Sequence, residues 1–449
     1  MSVDKDLTYT LICDDGAKFY YKPHISSLKD EEGKDLYSMN PVAIRKVNKW
    51  YMESPGEGCG GVEVNPIHPL FNPGKKTRAP GRLKIQLGLK CNYSCEYCSQ
   101  ASFVPDATVT DNDDLEEFMQ KLDDRLDLAG CGTVELWGGE PLLYWKKIKA
   151  LVPFLKERVA EDCEFTIVTN GSLINQEKID FFKEHKIDIT MSHDGPGYHL
   201  RGPDPLDNPR KFKFIQQMID LNDREELGFS FSMVWTKENT KDFDHTVNWF
   251  ADKFKDKNVP VSAEGIVEAY DIDTAMNDKT GKFDYSGLED LEERFFKGLT
   301  EGNRPLMKVF TSVDKINEFY GTLIHKKDSD YVGQKCGMDQ DDDLAVDLKG
   351  NVLTCQNVGL EKKHLSGHMD KMEEVRTKSS QHWTWRKECR SCPVVQLCQG
   401  SCMFLKGKEF AQTCWNEYAY NMAHFRAAIK FITGKTIVDI EGKQERPEL

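Results

Sequence analysis

The strongest constraint on this 449-residue chain is a repeated alternation of strand-like and helix-like segments between residues 81 and 310. The strand-like segments are residues 83–87, 133–137, 165–169, 187–191, 229–234 and 259–267. Apolar residues at helical spacing, such as Leu115, Phe118 and Leu122, separate them. Repeated strand–helix units predict an α/β fold with a parallel sheet or barrel, whose chemistry lies at the carboxyl ends of the strands.

The amino-acid composition limits which partners this protein can bind and which cellular compartment it occupies. Lys plus Arg number 60 and Asp plus Glu number 74, and the net charge of -14 argues against nucleic acid as a partner. No apolar run approaches the length of a membrane span, and the polar start Met1-Ser-Val-Asp lacks a secretory signal. We therefore expect a cytoplasmic protein without a membrane partner. The 14 cysteines then indicate metal ligation rather than disulfides.

A cysteine triplet follows the first strand of the alternating region. Cys91, Cys95 and Cys98 form a C-x3-C-x2-C pattern on the expected strand-end loop. Three thiolates can hold three irons of a 4Fe–4S cubane, leaving the fourth iron open to a substrate or cofactor. A zinc site is the alternative, although structural zinc prefers four protein ligands.

Two motifs together give this region a family resemblance. Tyr97 immediately precedes the last cysteine of the triplet, and Gly138-Gly139-Glu140-Pro141 ends the second strand. Residues 81–310 thereby resemble the radical S-adenosylmethionine (SAM) superfamily, which implies a partial (β/α)6 TIM-like barrel. In that family the Gly-Gly-Glu-Pro turn holds the SAM amino group, since glycines allow close backbone approach and the glutamate adds negative charge.

The next strand ends supply the remaining SAM-site candidates. Asn170 ends the third strand, and Ser192 and Asp194 lie at the end of the fourth. The resemblance implies that these residues contact SAM. The sequence beyond Pro196 departs from the common family form, so Arg201 and Arg210 are weaker candidates for binding the SAM carboxylate.

A second cysteine group lies in the C-terminal third of the chain. Its members are Cys336, Cys355, Cys389, Cys392, Cys398, Cys402 and Cys414. The group resembles the SPASM extension of radical SAM enzymes, with two zinc knuckles as the alternative. The resemblance implies one auxiliary 4Fe–4S cluster on Cys389, Cys392, Cys398 and Cys414, and another on Cys336, Cys355 and Cys402. The fourth ligand of the latter cluster stays open.

The resemblance also implies a reaction. One electron, from a donor such as flavodoxin or ferredoxin, would cleave SAM to a 5'-deoxyadenosyl radical, which abstracts hydrogen from a peptide or protein. Candidate bases near the strand ends are His193, Asp194, Glu264 and Glu268. The expected outcome is oxidative peptide modification, for example a thioether or carbon–carbon crosslink. Alternatives are a dehydrogenase, a formylglycine maturase of sulfatases, an enzyme acting on a small molecule, and a non-catalytic Fe–S redox protein.

Four zones follow from these patterns. Residues 1–80 form a small α+β domain, either a leader-peptide binder or a structural cap, and 39–52 are a possible helix. Residues 81–310 are the barrel and 311–430 the SPASM domain, organised by metal. Residues 431–449 are a charged tail, which we expect to be frayed.

Overall fold

A nine-stranded sheet forms the centre of the computed structural model, which describes residues 3–37, 74–100, 110–255, 259–266, 288–378 and 382–448. Six parallel strands follow one another in chain order across it. They are β4 (Arg82–Gln86), β5 (Thr133–Trp137), β6 (Glu164–Thr169), β7 (Ile187–Ser192), β8 (Phe229–Trp235) and β9 (Val261–Ile266). All six strands expected from the sequence are confirmed. The α/β partial barrel is therefore the observed fold, with its carboxyl strand ends on one side.

Amphipathic helices connect these strands. They are α1 (Asn112–Arg125), α2 (Trp145–Lys156), α3 (Gln176–Glu184), α4 (Pro209–Asp223), α5 (Phe243–Lys253) and α6 (Leu288–Thr300). Helix α1 begins with a capping box, in which the Asp111 side chain accepts from the Asp114 backbone and the Asp114 side chain accepts from the Asp111 backbone. Its apolar residues Leu115, Phe118 and Leu122 are buried in the core that the sheet shares with the helices. Their helical spacing is what the sequence predicted.

The C-terminal third of the chain extends the same sheet. Strand β10 (Asp343–Asp347) runs parallel to β4, with Ala345 opposite Lys84. Strands β11 (Asn351–Leu353) and β12 (Leu365–His368) continue outward from it as antiparallel neighbours. The barrel and the second cysteine group are thus joined through continuous strand pairing rather than through a linker.

The two ends of the described chain share a smaller sheet. An N-terminal hairpin is formed by β1 (Tyr9–Cys13) and β2 (Lys18–Lys22), with β3 (Ser27–Lys29) beside β2. Strand β13 (Ile437–Glu441) pairs antiparallel with β1. The expectation of a frayed tail is therefore wrong, because the tail's backbone completes this sheet. The possible helix at 39–52 lies outside the described residues.

Helices also organise the C-terminal region, which the sequence analysis describes only as a domain organised by metal. Helix α7 (Phe310–Ile324) precedes it, short helices α8 (Lys387–Arg390) and α9 (Val395–Cys398) carry cysteines, and α10 (Gly407–Thr433) spans 27 residues. Helix α10 packs against α6 and α7, and most of its residues are buried. A helix buried on several sides shows no single apolar stripe, which explains why the pattern missed it. No helix in the described ranges is long and apolar enough to cross a bilayer.

Candidate functional site

The cysteine triplet lies on the loop that leaves β4 at its carboxyl end. All three thiols are partly buried rather than enclosed. The loop turns tightly, because the Cys98 amide donates to the Cys95 carbonyl at 3.1 Å and the Tyr93 amide lies 3.4 Å from the Cys91 sulfur. The three sulfurs therefore belong to one short, ordered turn at the mouth of the barrel.

A buried polar cluster fixes this loop from behind. Asp194 is fully buried, and its carboxylate accepts hydrogen bonds from the Tyr97 hydroxyl and from Arg201, with Nε at 2.7 Å and Nη2 at 3.0 Å. The Arg201 guanidinium also lies 5.3 Å from the centre of the Tyr97 ring. The Glu96 amide adds a bond to the Leu200 carbonyl at 2.9 Å. The fourth strand end therefore positions the loop, and its aspartate and arginine neutralise each other.

These contacts limit what two of the candidate bases can do. Asp194 has both oxygens engaged. His193 is fully buried, with Nε2 3.2 Å from Asp204 and Nδ1 accepting the Gly195 amide at 3.0 Å. Burial lowers the pKa of His193, and the bond to Asp204 opposes that shift. Both residues act here as positioning groups. Of the other candidates, Glu264 lies in β9 and Glu268 outside the described residues.

The Gly-Gly-Glu-Pro turn is bound to the segment that precedes the triplet. The Gly139 amide donates to the Gly88 carbonyl at 3.0 Å, and the Glu140 amide donates to the Lys90 carbonyl at 3.1 Å. A Cβ at Gly139 would collide with the Leu89 carbonyl, and one at Gly138 would lie 2.8 Å from the Gly88 oxygen. Both glycines are thus needed for close backbone packing. From the sequence alone, the two glycines were expected to let the backbone approach the SAM amino group.

Glu140 joins two strand ends. Its fully buried carboxylate accepts from the Thr169 hydroxyl at 2.7 Å, the Asn170 amide at 2.8 Å and the Leu142 amide at 2.9 Å. Burial raises the pKa of Glu140, while these donors act in the opposite direction. The carboxylate therefore holds the turn at the end of β5 against the end of β6, and Pro141 continues it into a short 3-10 helix.

The remaining SAM-site candidates divide into two groups. The Asn170 side chain donates to the Asn92 side chain at 2.9 Å, which ties the third strand end to the residue after Cys91. Ser192 is partly buried at the end of β7. Arg210 instead begins α4, 6.0 Å from the Phe214 ring, and is exposed. The structure therefore brings Asn170 to the triplet loop and leaves Arg210 on the helix surface.

Four cysteines of the second group line one cavity. Cys389, Cys392, Cys398 and Cys414 face it together with Phe410, Tyr418 and Arg446. Burial raises the pKa of Cys414 to about 12, and the Arg446 guanidinium beside it opposes the shift. Burial also raises the pKa of Cys389 and Cys398, and neighbouring thiols add to the increase.

The other three cysteines lie on separate loops. Cys355 follows β11 and is partly buried, Cys336 precedes β10 and is exposed, and Cys402 follows α9. The Cys355 loop reaches the triplet loop, because the Gln100 side-chain Nε2 donates to the Asn357 side-chain oxygen at 3.0 Å. Two further bonds run from the Gln86 side-chain Nε2 to the carbonyls of residues 356 and 358, at 2.7 and 2.9 Å. The second cysteine group thus begins next to the first.

The donor sets fit iron–sulfur ligation in their chemistry. The thirteen described cysteines form no disulfide with one another, and no preformed set of three or more His, Cys, Asp or Glu ligands occurs within the described ranges. Burial also raises the pKa of Cys95 to about 12, with Arg201 acting against it. Thiols held neutral this way become thiolates when a metal supplies positive charge. Clustered buried thiols without disulfides are therefore suited to a metal–sulfur group.

Two arginines at the four-cysteine cavity were not singled out by the sequence. Arg386 lies 3.8 Å from the centre of the Phe410 ring and donates to the carbonyls of residues 400, 402 and 405. Arg446 reaches the cavity from the C-terminal segment. Lone basic residues carry no periodic or motif signal, so only the fold shows where they lie.

Comparison with known proteins assigns the class. Residues 85–250 match the model of the radical SAM superfamily, and this segment runs from the end of β4 through β8 and carries the triplet. The matched segment is a radical SAM domain, and the chain is a radical SAM enzyme.

Among characterised relatives, the chain is similar to two named enzymes. It is 20% identical over 350 residues to the radical SAM cyclopropyl synthase TigE of Paramaledivibacter caminithermalis, covering 72% of this chain and 67% of that protein. It is 23% identical over 366 residues to a cysteine-type anaerobic sulfatase-maturating enzyme of Clostridium perfringens, covering 75% and 92%.

The fold also matches a solved structure. Native anSMEcpe with bound AdoMet and Cp18Cys peptide superposes with a TM-score of 0.54 at 18% identity, over 79% of this chain and 98% of that one. The likeness extends well beyond the barrel, so it supports the α/β architecture of most of the chain.

Proposed function

We propose that this chain oxidatively modifies a peptide or protein by radical SAM chemistry. The observation that carries the proposal is the adjacency of the two cysteine groups. Gln100, two residues after Cys98, bonds to Asn357, two residues after Cys355. A site that generates a radical and a site that could accept an electron would then share one wall of the barrel mouth.

In this proposal Cys91, Cys95 and Cys98 hold the SAM-binding 4Fe–4S cluster. When bound, that cluster and SAM supply the 5'-deoxyadenosyl radical that abstracts hydrogen from the substrate. The protein's own part is to hold the loop still through Asp194 and Arg201. We assign the SAM amino group to the backbone of the Gly-Gly-Glu-Pro turn, since the Glu140 carboxylate already accepts three hydrogen bonds.

The auxiliary clusters form the second part of the proposal. Cys389, Cys392, Cys398 and Cys414 share one cavity, which supports their assignment to a single 4Fe–4S cluster. Cys336, Cys355 and Cys402 are assigned to the other, with its fourth ligand open. A low-potential flavodoxin or ferredoxin remains the proposed donor, and the general base is unassigned between Glu264 and groups of the substrate.

Residues 1–80 are proposed as a structural cap rather than a leader binder. The Tyr9 hydroxyl donates to the Ser391 carbonyl at 2.6 Å, and His24 Nε2 lies 2.8 Å from the Arg390 carbonyl. These bonds place the N-terminal hairpin on the loop between Cys389 and Cys392. These contacts of the described residues 3–37 support a role in covering that cysteine loop.

The relatives favour a peptide over a small molecule. The sulfatase-maturating enzyme and TigE are matched over at least two thirds of both chains, whereas a GTP 3',8-cyclase from Synechococcus is matched over only 26% of this one. The short match of 119 residues is smaller than the barrel region 81–310, whereas the long matches of 350 and 366 residues exceed that region in length.

The test is an anaerobic assay with two readouts. The reconstituted protein receives SAM, a reductant and the peptide encoded by a short reading frame beside its gene, or otherwise a pool of Cys- and Ser-containing peptides. We expect 5'-deoxyadenosine to form and the peptide to lose two hydrogen atoms, as a crosslink or dehydrogenation requires. An aldehyde that reacts with a hydrazide probe would identify formylglycine instead.

The two readouts separate the alternatives. SAM cleavage without any peptide mass change across both peptide sources would contradict the peptide proposal and favour a small substrate. Absence of SAM cleavage in fully loaded protein would contradict the proposed reaction itself. The triple variant Cys91→Ala, Cys95→Ala and Cys98→Ala is the matched control, because it retains the cysteines of the second group.

A further inference from the structure

The C-terminal segment after β13 covers the four-cysteine cavity. The Tyr9 hydroxyl bonds to the Lys443 carbonyl at 2.8 Å as well as to the Ser391 carbonyl. The Glu445 amide donates to the Ser391 hydroxyl at 2.9 Å, and Trp415 Nε1 donates to the Pro447 carbonyl at 3.1 Å. Residues 443–447 are therefore bound from both sides, by the loop after Cys389 and by α10 beside Cys414.

One side chain of this segment points into the cavity. Arg446 Nη1 lies 3.8 Å from the Cys392 sulfur, within hydrogen-bonding distance for sulfur, and its guanidinium lies 3.3 Å from the centre of the Tyr418 ring. Nη2 donates to the Gln444 side chain at 3.1 Å, and the Tyr418 hydroxyl donates to the same Gln444 oxygen at 2.9 Å. The guanidinium plane is therefore fixed on the aromatic ring with one edge toward a thiol.

Arg446 forms no salt bridge with a carboxylate within the described residues. Its contacts there are the Cys392 and Cys414 thiols, the faces of Tyr418 and Trp415, and a neutral amide. Glu445, its neighbour in sequence, instead pairs with Lys443 at 3.3 Å. The positive charge of Arg446 is thus directed at the cysteines rather than cancelled locally.

We propose that Arg446 is a positioning residue for the auxiliary cluster of the four-cysteine cavity, donating an N–H to the Cys392 sulfur and raising the reduction potential of that cluster. The inference rests on the proposed function, since it requires an iron–sulfur cluster at these cysteines. Hydrogen bonds to cluster sulfurs, nearby charge and exclusion of solvent set such potentials. A positive charge stabilises the reduced cluster, which carries one more electron than the oxidised form.

The experiment is a redox titration followed by electron paramagnetic resonance. It uses full-length protein with Cys91, Cys95 and Cys98 changed to Ala, so that only auxiliary clusters contribute. The further change Cys389→Ala identifies which signal belongs to the four-cysteine cavity. Arg446→Gln is then compared with Arg446→Lys and with Lys443→Gln, which removes a charge from an exposed side chain of the same segment.

We expect Arg446→Gln to lower the ratio of reduced to oxidised cluster at a fixed potential by about tenfold, which is about 59 mV for one electron. Arg446→Lys keeps the charge but loses the planar fork, so it is expected to shift in the same direction by less. Lys443→Gln should leave the potential unchanged, because water screens its charge.

An unchanged potential in Arg446→Gln, with the cluster present and assigned, would overturn the inference and leave the proposed function intact. If Arg446→Gln does not retain the cluster, Arg446→Lys decides: a lowered potential supports the inference and an unchanged one overturns it. Zinc or no metal at the four cysteines of the parent protein would overturn the proposed auxiliary cluster as well. Iron and zinc analysis distinguishes that result.

Discussion

The two cysteine sites differ in how the protein places positive charge beside the thiols. At the triplet loop, Arg201 forms a two-bond ion pair with Asp194, so the cation is neutralised. At the four-cysteine cavity, Arg386 donates only to backbone carbonyls and Arg446 contacts a thiol, and neither pairs with a carboxylate in the described part of the chain. If both sites hold the proposed clusters, this difference predicts a lower reduction potential at the triplet than at the cavity.

The sites also differ in access. The triplet is one short loop at the strand ends, with all three thiols partly exposed. The cavity is bordered by α10 and the C-terminal segment, and the N-terminal hairpin contacts its cysteine loop. Cys389 and Cys392 are buried, and Cys398 and Cys414 are partly buried. A more exposed site suits a cluster that must bind a ligand, whereas a more buried site suits one that exchanges electrons only.

The largest expected effect separates the sites by their chemistry. Changing Cys95 to Ala should reduce SAM cleavage to background, because the cubane loses one of its three protein ligands. The auxiliary clusters should remain, since their cysteines lie on other loops. Chromatographic quantification of 5'-deoxyadenosine, alongside iron analysis, makes the measurement. Persistent cleavage at the parent rate would show that the triplet is not the SAM site.

The second-largest expected effect comes from removing a cysteine of the four-cysteine cavity. Cys389→Ala should lower iron by about four atoms per chain and impair peptide modification. SAM cleavage should persist, because the triplet is untouched. Cys13→Ala, a buried thiol of the N-terminal hairpin, is the matched control and should keep full iron. Equal iron loss in both variants would argue that general folding, not ligation, is being measured.

The third change breaks the neutralised pair at the triplet. Asp194→Asn leaves the Arg201 charge in a buried site without its partner and should lower the free energy of unfolding by about 3–5 kcal/mol. Denaturant unfolding of the anaerobic protein gives the value. Asp207→Asn, which removes an exposed partner of Lys253, should cost less than about 1 kcal/mol. Similar losses in the two variants would contradict the structural role of the buried pair.

The smallest expected effect is a loss of folding stability at acidic pH. Burial lowers the pKa of His424 on α10 to about 3. Below about pH 6.5 the unfolded chain binds a proton that the folded chain does not, so stability falls as the pH drops toward 3, by about 1.4 kcal/mol per pH unit. His424→Gln should reduce this slope in unfolding measurements between pH 7 and 5. His245→Gln, at an exposed position, should not.

The sequence predicted the barrel well because its evidence is local. Alternating apolar residues in β5 and β7 face a core, and the same residues define the strands in the structure. The triplet and the Gly-Gly-Glu-Pro turn were also found, since each is contiguous. The hydrogen bonds from Thr169 and Asn170 to the Glu140 carboxylate were not predicted, because they join the ends of two different strands.

The C-terminal region was predicted less well because its secondary structure depends on contacts with residues far away in the sequence. Ile437–Glu441 reads as a charged tail until it pairs with β1, more than 400 residues earlier in the chain. Helix α10 is buried on several faces, which hides its period. Arg446 has no local signal at all, and it becomes meaningful only beside Cys392.

A redox titration of the anaerobically reconstituted wild-type protein, with and without SAM, compares the two sites directly. We expect one electron paramagnetic resonance signal to change when SAM is added, and that signal to have the lowest potential of those present. A titration with no SAM-sensitive signal, or one in which the SAM-sensitive cluster has the highest potential, would contradict the assignment of the two sites.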